Sequence, residues 1–264
     1  MQASCTLAGD LRYALELVFE AMPETVTYLP YVAFLVAGLV QGIAGFGGGL
    51  VAMALLPLVW EIHTAVGVSA VFGVVLNVAL AFELRSHMQR VEVLPMVLAG
   101  VFGVPLGITF LHAVEVRWVM LSLGVTLLLH ACWSLFGHKA SAQIGRWAAP
   151  VAGFVGGVLS GAFSTAGPPA LMYATARHWP RDTFRANLQA FFLSTGTMSL
   201  VGFVMTDVVT VDSVSTNLAL LPALVVGGWV GHRLSSRINQ ELFRKGVLAA
   251  LLLMGGNYVL RSYA

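Results

Sequence analysis

The sequence predicts an all-α, polytopic membrane protein of two inverted repeats. Each repeat is one broken helical hairpin followed by three transmembrane helices. Three observations predict this architecture. Of the 264 residues, 58% are hydrophobic and only 10% are charged, against roughly 25% charged in an ordinary soluble domain. Two apolar stretches are interrupted in the middle by helix breakers at matching places. The basic residues sort to one side of the implied topology. With 14 Lys and Arg and 12 Asp and Glu, the chain lacks the charge to cover a water-soluble globule. A mean hydropathy of +0.85 says the same. A soluble enzyme and a disordered chain are both excluded.

Residues 1–28 form the first element. Asp10, Arg12, Glu16, Glu20 and Glu24 interrupt them, so they do not read as a cleavable signal peptide. Leu7, Leu11, Leu15, Val18 and Met22 fall near helical spacing, which predicts an amphipathic, extracytoplasmic surface helix.

The first repeat covers 29–137. Its hairpin, 30–60, breaks at Gly45-Phe46-Gly47-Gly48-Gly49, and its spans are 63–83, 93–113 and 118–136. A linker over 138–146, placed in the cytoplasm, leads to the second repeat, 147–264. That repeat has a hairpin over 147–178, broken at Ser164-Thr165-Ala166-Gly167-Pro168-Pro169, and spans 183–205, 214–232 and 244–262. A helix needs about 20 apolar residues to cross the hydrocarbon. Each half-hairpin has about 12 to 15, roughly 20 Å of helix, which favours re-entry over crossing. Two complete short spans would give the same parity and stay open.

The halves match in order. A shift of 119 residues brings Gly42 onto Gly161, Gly48 onto Gly167, Trp60 onto Trp179 and Thr64 onto Thr183. A shift of 127 brings Pro95 onto Pro222, Gly100 onto Gly227 and Arg117 onto Arg244. Such self-similarity is the mark of an internal duplication.

Charge decides the topology. If each hairpin enters and leaves on one face, 11 of the 14 basic residues share a side: Arg85, Arg90, Lys139, Arg146, Arg177, Arg181, Arg185, Arg233, Arg237, Arg244 and Lys245. Arg12, Arg117 and Arg261 stand opposite. If each hairpin crosses once, the split is 6 to 8 and carries no information. Same-side hairpins give an odd number of crossings per repeat, so the second repeat is inverted.

Irregular backbone survives at membrane depth only when buried in protein or lining a watery cavity. Two inverted hairpins therefore predict one polar site between their tips. The half-helix after each tip, from about Gly49 and Pro169, offers free N–H groups and a positive dipole end to an anion. The glycines admit close approach, Pro169 suits a first helical turn, and Ser164 and Thr165 add hydroxyls. The binding candidates are Gly45, Phe46, Gly47, Gly48, Gly49, Ser164, Thr165 and Gly167. Gly100, Gly103, Gly107, Gly227 and Gly231 read as helix-packing positions instead.

Polar residues inside spans extend the list. Asn77 either donates to the substrate or bonds a neighbouring helix. Arg185 either snorkels to the interface or pairs bidentately with an oxyanion, with Gln189 one turn deeper on the same face. His130 is the only histidine well inside a span, and reads as a packing residue or a proton carrier for coupling.

Gly42 to Gly49, with Gly156 to Gly161, Gly167-Pro168-Pro169, Arg185-Ala186-Asn187 and the closing Leu221-Pro222, Gly227, Gly231-His232-Arg233-Leu234 and Arg237-Ile238, resembles the sulfite exporter TauE/SafE family of membrane transporters. The resemblance covers roughly 30–262. Family sequences often place Thr where this chain has Asn187. The resemblance implies a small sulfur oxyanion as substrate (sulfite, sulfoacetate or a related organosulfonate) and a bacterial inner membrane as location. It fixes neither the anion nor the direction of transport.

The residues and the resemblance together point to a secondary, alternating-access transporter. The alternatives are an anion channel and, less well supported, an intramembrane enzyme. No His-Glu-x-x-His motif and no carboxylate pair within the spans supplies enzyme chemistry. Cys5 and Cys132 make no metal quartet, so neither a metal nor another cofactor is expected. A net charge of +2 suggests no nucleic-acid partner. The partners expected are the bilayer and the anion, with a homodimer left open.

Overall fold

The computed structural model describes residues 25–136, 144–235 and 237–262. The N-terminal surface helix expected over 1–28 lies almost wholly outside them, as does most of the linker. Among the described residues are ten α-helices and no strand. The first half contains α1 (Thr25–Ala44), α2 (Gly48–Leu55), α3 (Ile62–Leu84), α4 (Arg90–Ala113) and α5 (Val116–Phe136). The second contains α6 (Ala148–Phe163), α7 (Gly167–Ala176), α8 (Arg181–Met205), α9 (Val211–Leu234) and α10 (Gln240–Ser262).

Four helices are long and apolar enough to cross a bilayer: α4, α5 over Val116–Leu135, α8 and α9. Their outward side chains are apolar. Phe102 is 75% exposed and Leu129 and Leu218 are each 66% exposed, a surface that suits lipid and not water. The other two expected spans are helical as α3 and α10 but fall outside that group. The apolar stretch of α3 is Ile62–Val78. In α10, Glu241, Arg244 and Lys245 put charge in the first turns and Arg261 in the last.

The expected breaks interrupt both hairpins. α1 ends at Ala44 and α2 starts at Gly48; α6 ends at Phe163 and α7 starts at Gly167. The α2 and α7 starts are 119 residues apart, as are the starts of α3 and α8. Glu61 and Pro180, at the N-caps of α3 and α8, keep the same offset and nearly the same backbone: φ −58° and ψ 149° against φ −54° and ψ 149°.

The most extensive pairings are α4 with α6 and α1 with α9, followed by α5 with α10, α3 with α8 and α4 with α8. Each hairpin's first helix thus packs on a span of the other half. Glycine makes this possible. A β-carbon on Gly153, Gly157 or Gly161 would strike the α4 carbonyls of Met96, Gly100 and Val104 in turn. One on Gly38 or Gly42 would strike the α9 carbonyls of Leu224 and Gly228. In both pairs the contacts advance together along the two chains, so the helices run parallel. Bare backbones in contact maximise dispersion where lipid supplies no hydrophobic drive. Gly100, Gly103, Gly107, Gly227 and Gly231 all lie in these seams, as their packing role requires.

Each hairpin returns to the end of the bundle from which it starts. At one end, buried Glu92 accepts from Arg146 Nε at 2.7 Å, just before α6, and from Arg177 at 3.0 Å, just after α7. Both legs of the second hairpin therefore meet the start of α4. The Gln89 N–H donates to Asn187 Oδ1 at 2.9 Å, bringing α8 to the same end. At the opposite end, Trp60 and His63, which follow the first hairpin, share a cavity with Asp207, Asp212 and Thr216. The α9 helix starts there with a reciprocal cap between Thr210 and Ser213. The first end carries the arginines of the 84–92, 177–185 and 233–245 connections; the second carries Asp207 and Asp212.

Candidate functional site

The hairpin tips turn sharply where an ordinary residue resists. Gly45 and Gly47 take φ of 81° and 91°, the left-handed region that glycine enters without a Cβ clash. Ser164, at the place that the 119-residue shift gives Gly45, takes φ 53°. Its hydroxyl donates to the Val66 carbonyl on α3 at 2.9 Å. That bond holds the strained tip and occupies the hydroxyl hydrogen that the sequence assigns to a ligand.

The tips face one another. A β-carbon placed on Gly49 would lie 3.7 Å from the Ser164 carbonyl oxygen. Between the tips is a central cavity of about 60 Å³, lined by Gly47, Gly49, Asn77, Ser164, Thr165 and Gly167, with Gln41, Gly73 and Phe192 among others. A second cavity, of about 40 Å³, shares Gly73, Asn77, Ser164, Ala166 and Phe192 with it and adds Ser69, Ser160, Thr195 and Ser199. Neither cavity has a charged side chain in its lining.

The polar groups of both linings are therefore neutral. At the start of α2, Gly48 N–H is taken by the Gln41 side-chain oxygen at 2.9 Å, and the N–H of Val51 bonds the Gly47 carbonyl at 3.1 Å. Among the described residues, the N–H groups of Gly49 and Leu50 have no such partner and sit at the positive end of the helix dipole. The α7 start is poorer than expected. The helix begins at Gly167, two residues before Pro169, so its next two positions are Pro168 and Pro169, which have no N–H. Ser69 Oγ is buried without a partner. Ser160 and Ser199 hydroxyls bond each other at 3.0 Å.

The remaining candidates lie elsewhere. Gln189 donates its amide N–H to the Gly45 carbonyl at 3.0 Å. The Arg185 guanidinium lies against Gly45, whose added β-carbon would be 2.6 Å from Arg185 Nε. Both residues grip the back of the first tip and neither lines the central cavity. Phe46 packs against Phe184, with ring centroids 5.8 Å apart.

His130 faces a larger vestibule of about 580 Å³, together with Phe46, Trp133, Phe184, Glu241 and Arg244. Two of its lining residues, Glu241 and Arg244, stand at the basic end, and it borders the central cavity through Gly47, Leu50 and Leu171. A cavity of about 530 Å³ at the aspartate end holds His63, His112, Asp207 and Asp212, and shares no lining residue with the central one. Among the described residues, no group of three or more His, Cys, Asp and Glu is placed to hold a metal ion.

Sequence reasoning missed Gln41, Ser69, Thr195, Ser199 and the Glu92 cluster. One signal was available. Ser69, Gly73 and Asn77 recur every four residues, as do Thr195 and Ser199, and that spacing lines one helix face with small or polar groups.

The family model for the sulfite exporter TauE/SafE family matches residues 31–258. No curated protein and no solved structure matches the chain.

Proposed function

From the premise that the chain belongs to the sulfite exporter TauE/SafE family, we propose an alternating-access carrier that binds a small sulfur oxyanion between its two hairpin tips. The family is one of transporters and not of enzymes, so the chain is a multi-pass membrane protein that moves sulfur anions. The observation that carries the finer reading is the uncharged polar cavity where Gly49 meets Ser164, beside the free N–H groups at the start of α2. An anion there exchanges water for fixed backbone donors. With no ionised partner in the lining, it also leaves without breaking an ion pair.

The two halves act as inverted repeats in this account, 29–137 and 147–264. The 119-residue offset shared by the starts of α2 and α7 and of α3 and α8, and the reciprocal packing of α1 on α9 and α6 on α4, support it. The basic end faces the cytoplasm by the positive-inside rule, in a bacterial inner membrane. Arg185 and Gln189 hold the first tip in place, and His130, in the vestibule wall, is the group available for proton coupling. One chain supplies the whole cavity, so a homodimer is not needed for transport.

Two outcomes are expected. Proteoliposomes should show saturable flux of sulfite or sulfoacetate, accelerated several-fold by the same anion on the far side. Saturable flux without this acceleration indicates a channel, and no flux of any sulfur anion removes the substrate reading. For topology, single cysteines at Ser86 and Asp207, both exposed, should label from opposite sides in a background lacking Cys5 and Cys132. Labelling from one side rejects the paired hairpins.

A further inference from the structure

We infer that the anion carried by this protein has an apolar body attached to its sulfonate head; the inference rests on the carrier reading above. The central cavity, about 60 Å³, holds little more than a head group, while the adjoining vestibule, about 580 Å³, is of the size that encloses a whole organic ligand. The two meet at Gly47, Leu50 and Leu171, so a head at the start of α2 places its body in the vestibule.

The vestibule wall is built for such a body. Trp133 from α5, Phe184 from α8, and Phe243 and Leu251 from α10 line it. Its two charged lining residues, Glu241 and Arg244, stand in the first turns of α10, at the basic end. A bare inorganic oxyanion gains nothing from an apolar wall and loses water hydrogen bonds along it. An alkyl or aryl group gains about fourfold in affinity for each methylene buried there. The arginines at the basic end attract the anionic head first.

The test is binding of a sulfonate series to the full chain in lipid nanodiscs, read by calorimetry. Methane-, butane-, hexane- and benzenesulfonate are compared, with hexanol as a headless control. The dissociation constant should fall about three- to fourfold per methylene up to butane. Benzenesulfonate should bind at least tenfold more tightly than methanesulfonate, and hexanol should not compete. Trp133→Ala should flatten the series and leave methanesulfonate unchanged. An affinity that is flat or weakens with length overturns the inference, as does hexanol that competes as well as hexanesulfonate, the mark of a pocket for lipid tails. If sulfite or sulfoacetate flux saturates while the series is flat, the carrier reading stands and this inference alone falls. If no sulfur anion moves at all, the carrier reading is the one that fails.

Discussion

Gly49→Leu should cut sulfur-anion flux at least 100-fold and leave the protein folded. Gly49 is half-buried at the start of α2, and a β-carbon there has only the Ser164 carbonyl oxygen within 4 Å, at 3.7 Å. That is ordinary contact, so alanine fits without strain. The further carbons of leucine must enter the central cavity, whose roughly 60 Å³ matches about two waters at their liquid volume. They displace whatever ligand lies between the tips and cover the Gly49 and Leu50 N–H groups. Flux in proteoliposomes and thermal melting, measured on the same preparations, check both halves of the expectation. Gly49→Ala should keep most of the flux. If Gly49→Leu transports like the wild type, the ligand does not pass between the tips.

Gly157→Leu should do the reverse and remove the fold. A β-carbon on Gly157 would lie 2.7 Å and 2.8 Å from the carbonyl carbon and α-carbon of Gly100. Those are backbone atoms of α4 and cannot rotate away. Overpacking a tight site usually costs about 1–3 kcal/mol; here the whole α4–α6 seam must part, so the cost lies at or above the top of that range. Folded protein, followed by size-exclusion chromatography and by melting temperature, should fall sharply. Gly256→Leu is the control, because nothing lies within 4 Å of a β-carbon there, and it should behave as wild type. A well-folded Gly157→Leu protein would show that α4 and α6 are not in backbone contact.

The hairpin breaks were legible because helix breakers are local. Gly-Phe-Gly-Gly-Gly and Gly-Pro-Pro interrupt a helix whatever surrounds them, and the 119-residue offset is simple counting. Helix packing at Gly100, Gly103 and Gly107 was legible for the same reason, since glycines three and four residues apart make a groove on one face. Which helix fills the groove was not. That α6 lies on α4, and α1 on α9, depends on how distant parts of the chain pack.

The same limit separates the site residues. Asn77 and Thr165 stand out as polar groups in apolar runs and do line the cavity. Arg185 stands out equally, yet its guanidinium lies against Gly45 and outside the cavity lining, to which α8 contributes Phe192, about two turns farther along. Ser69, Ser160 and Ser199 are unremarkable in sequence, since serine is common in membrane helices, and only the assembled bundle turns them inward. Nothing in the sequence sets Glu92 apart. Its pairing with Arg146 and Arg177 needs three connections to converge at one end.

The central claim is that the anion sits between the tips, and substrate protection of a cysteine placed there tests it most directly. Thr165 is buried in the cavity lining, and Thr165→Cys, with Cys5 and Cys132 replaced, puts one thiol in the site. Iodoacetamide should alkylate it slowly, and sulfoacetate should slow the reaction further, with half-protection at the concentration that half-saturates flux. An alkylation rate unchanged by sulfoacetate at ten times that concentration, in protein that still transports, would contradict binding at the tips.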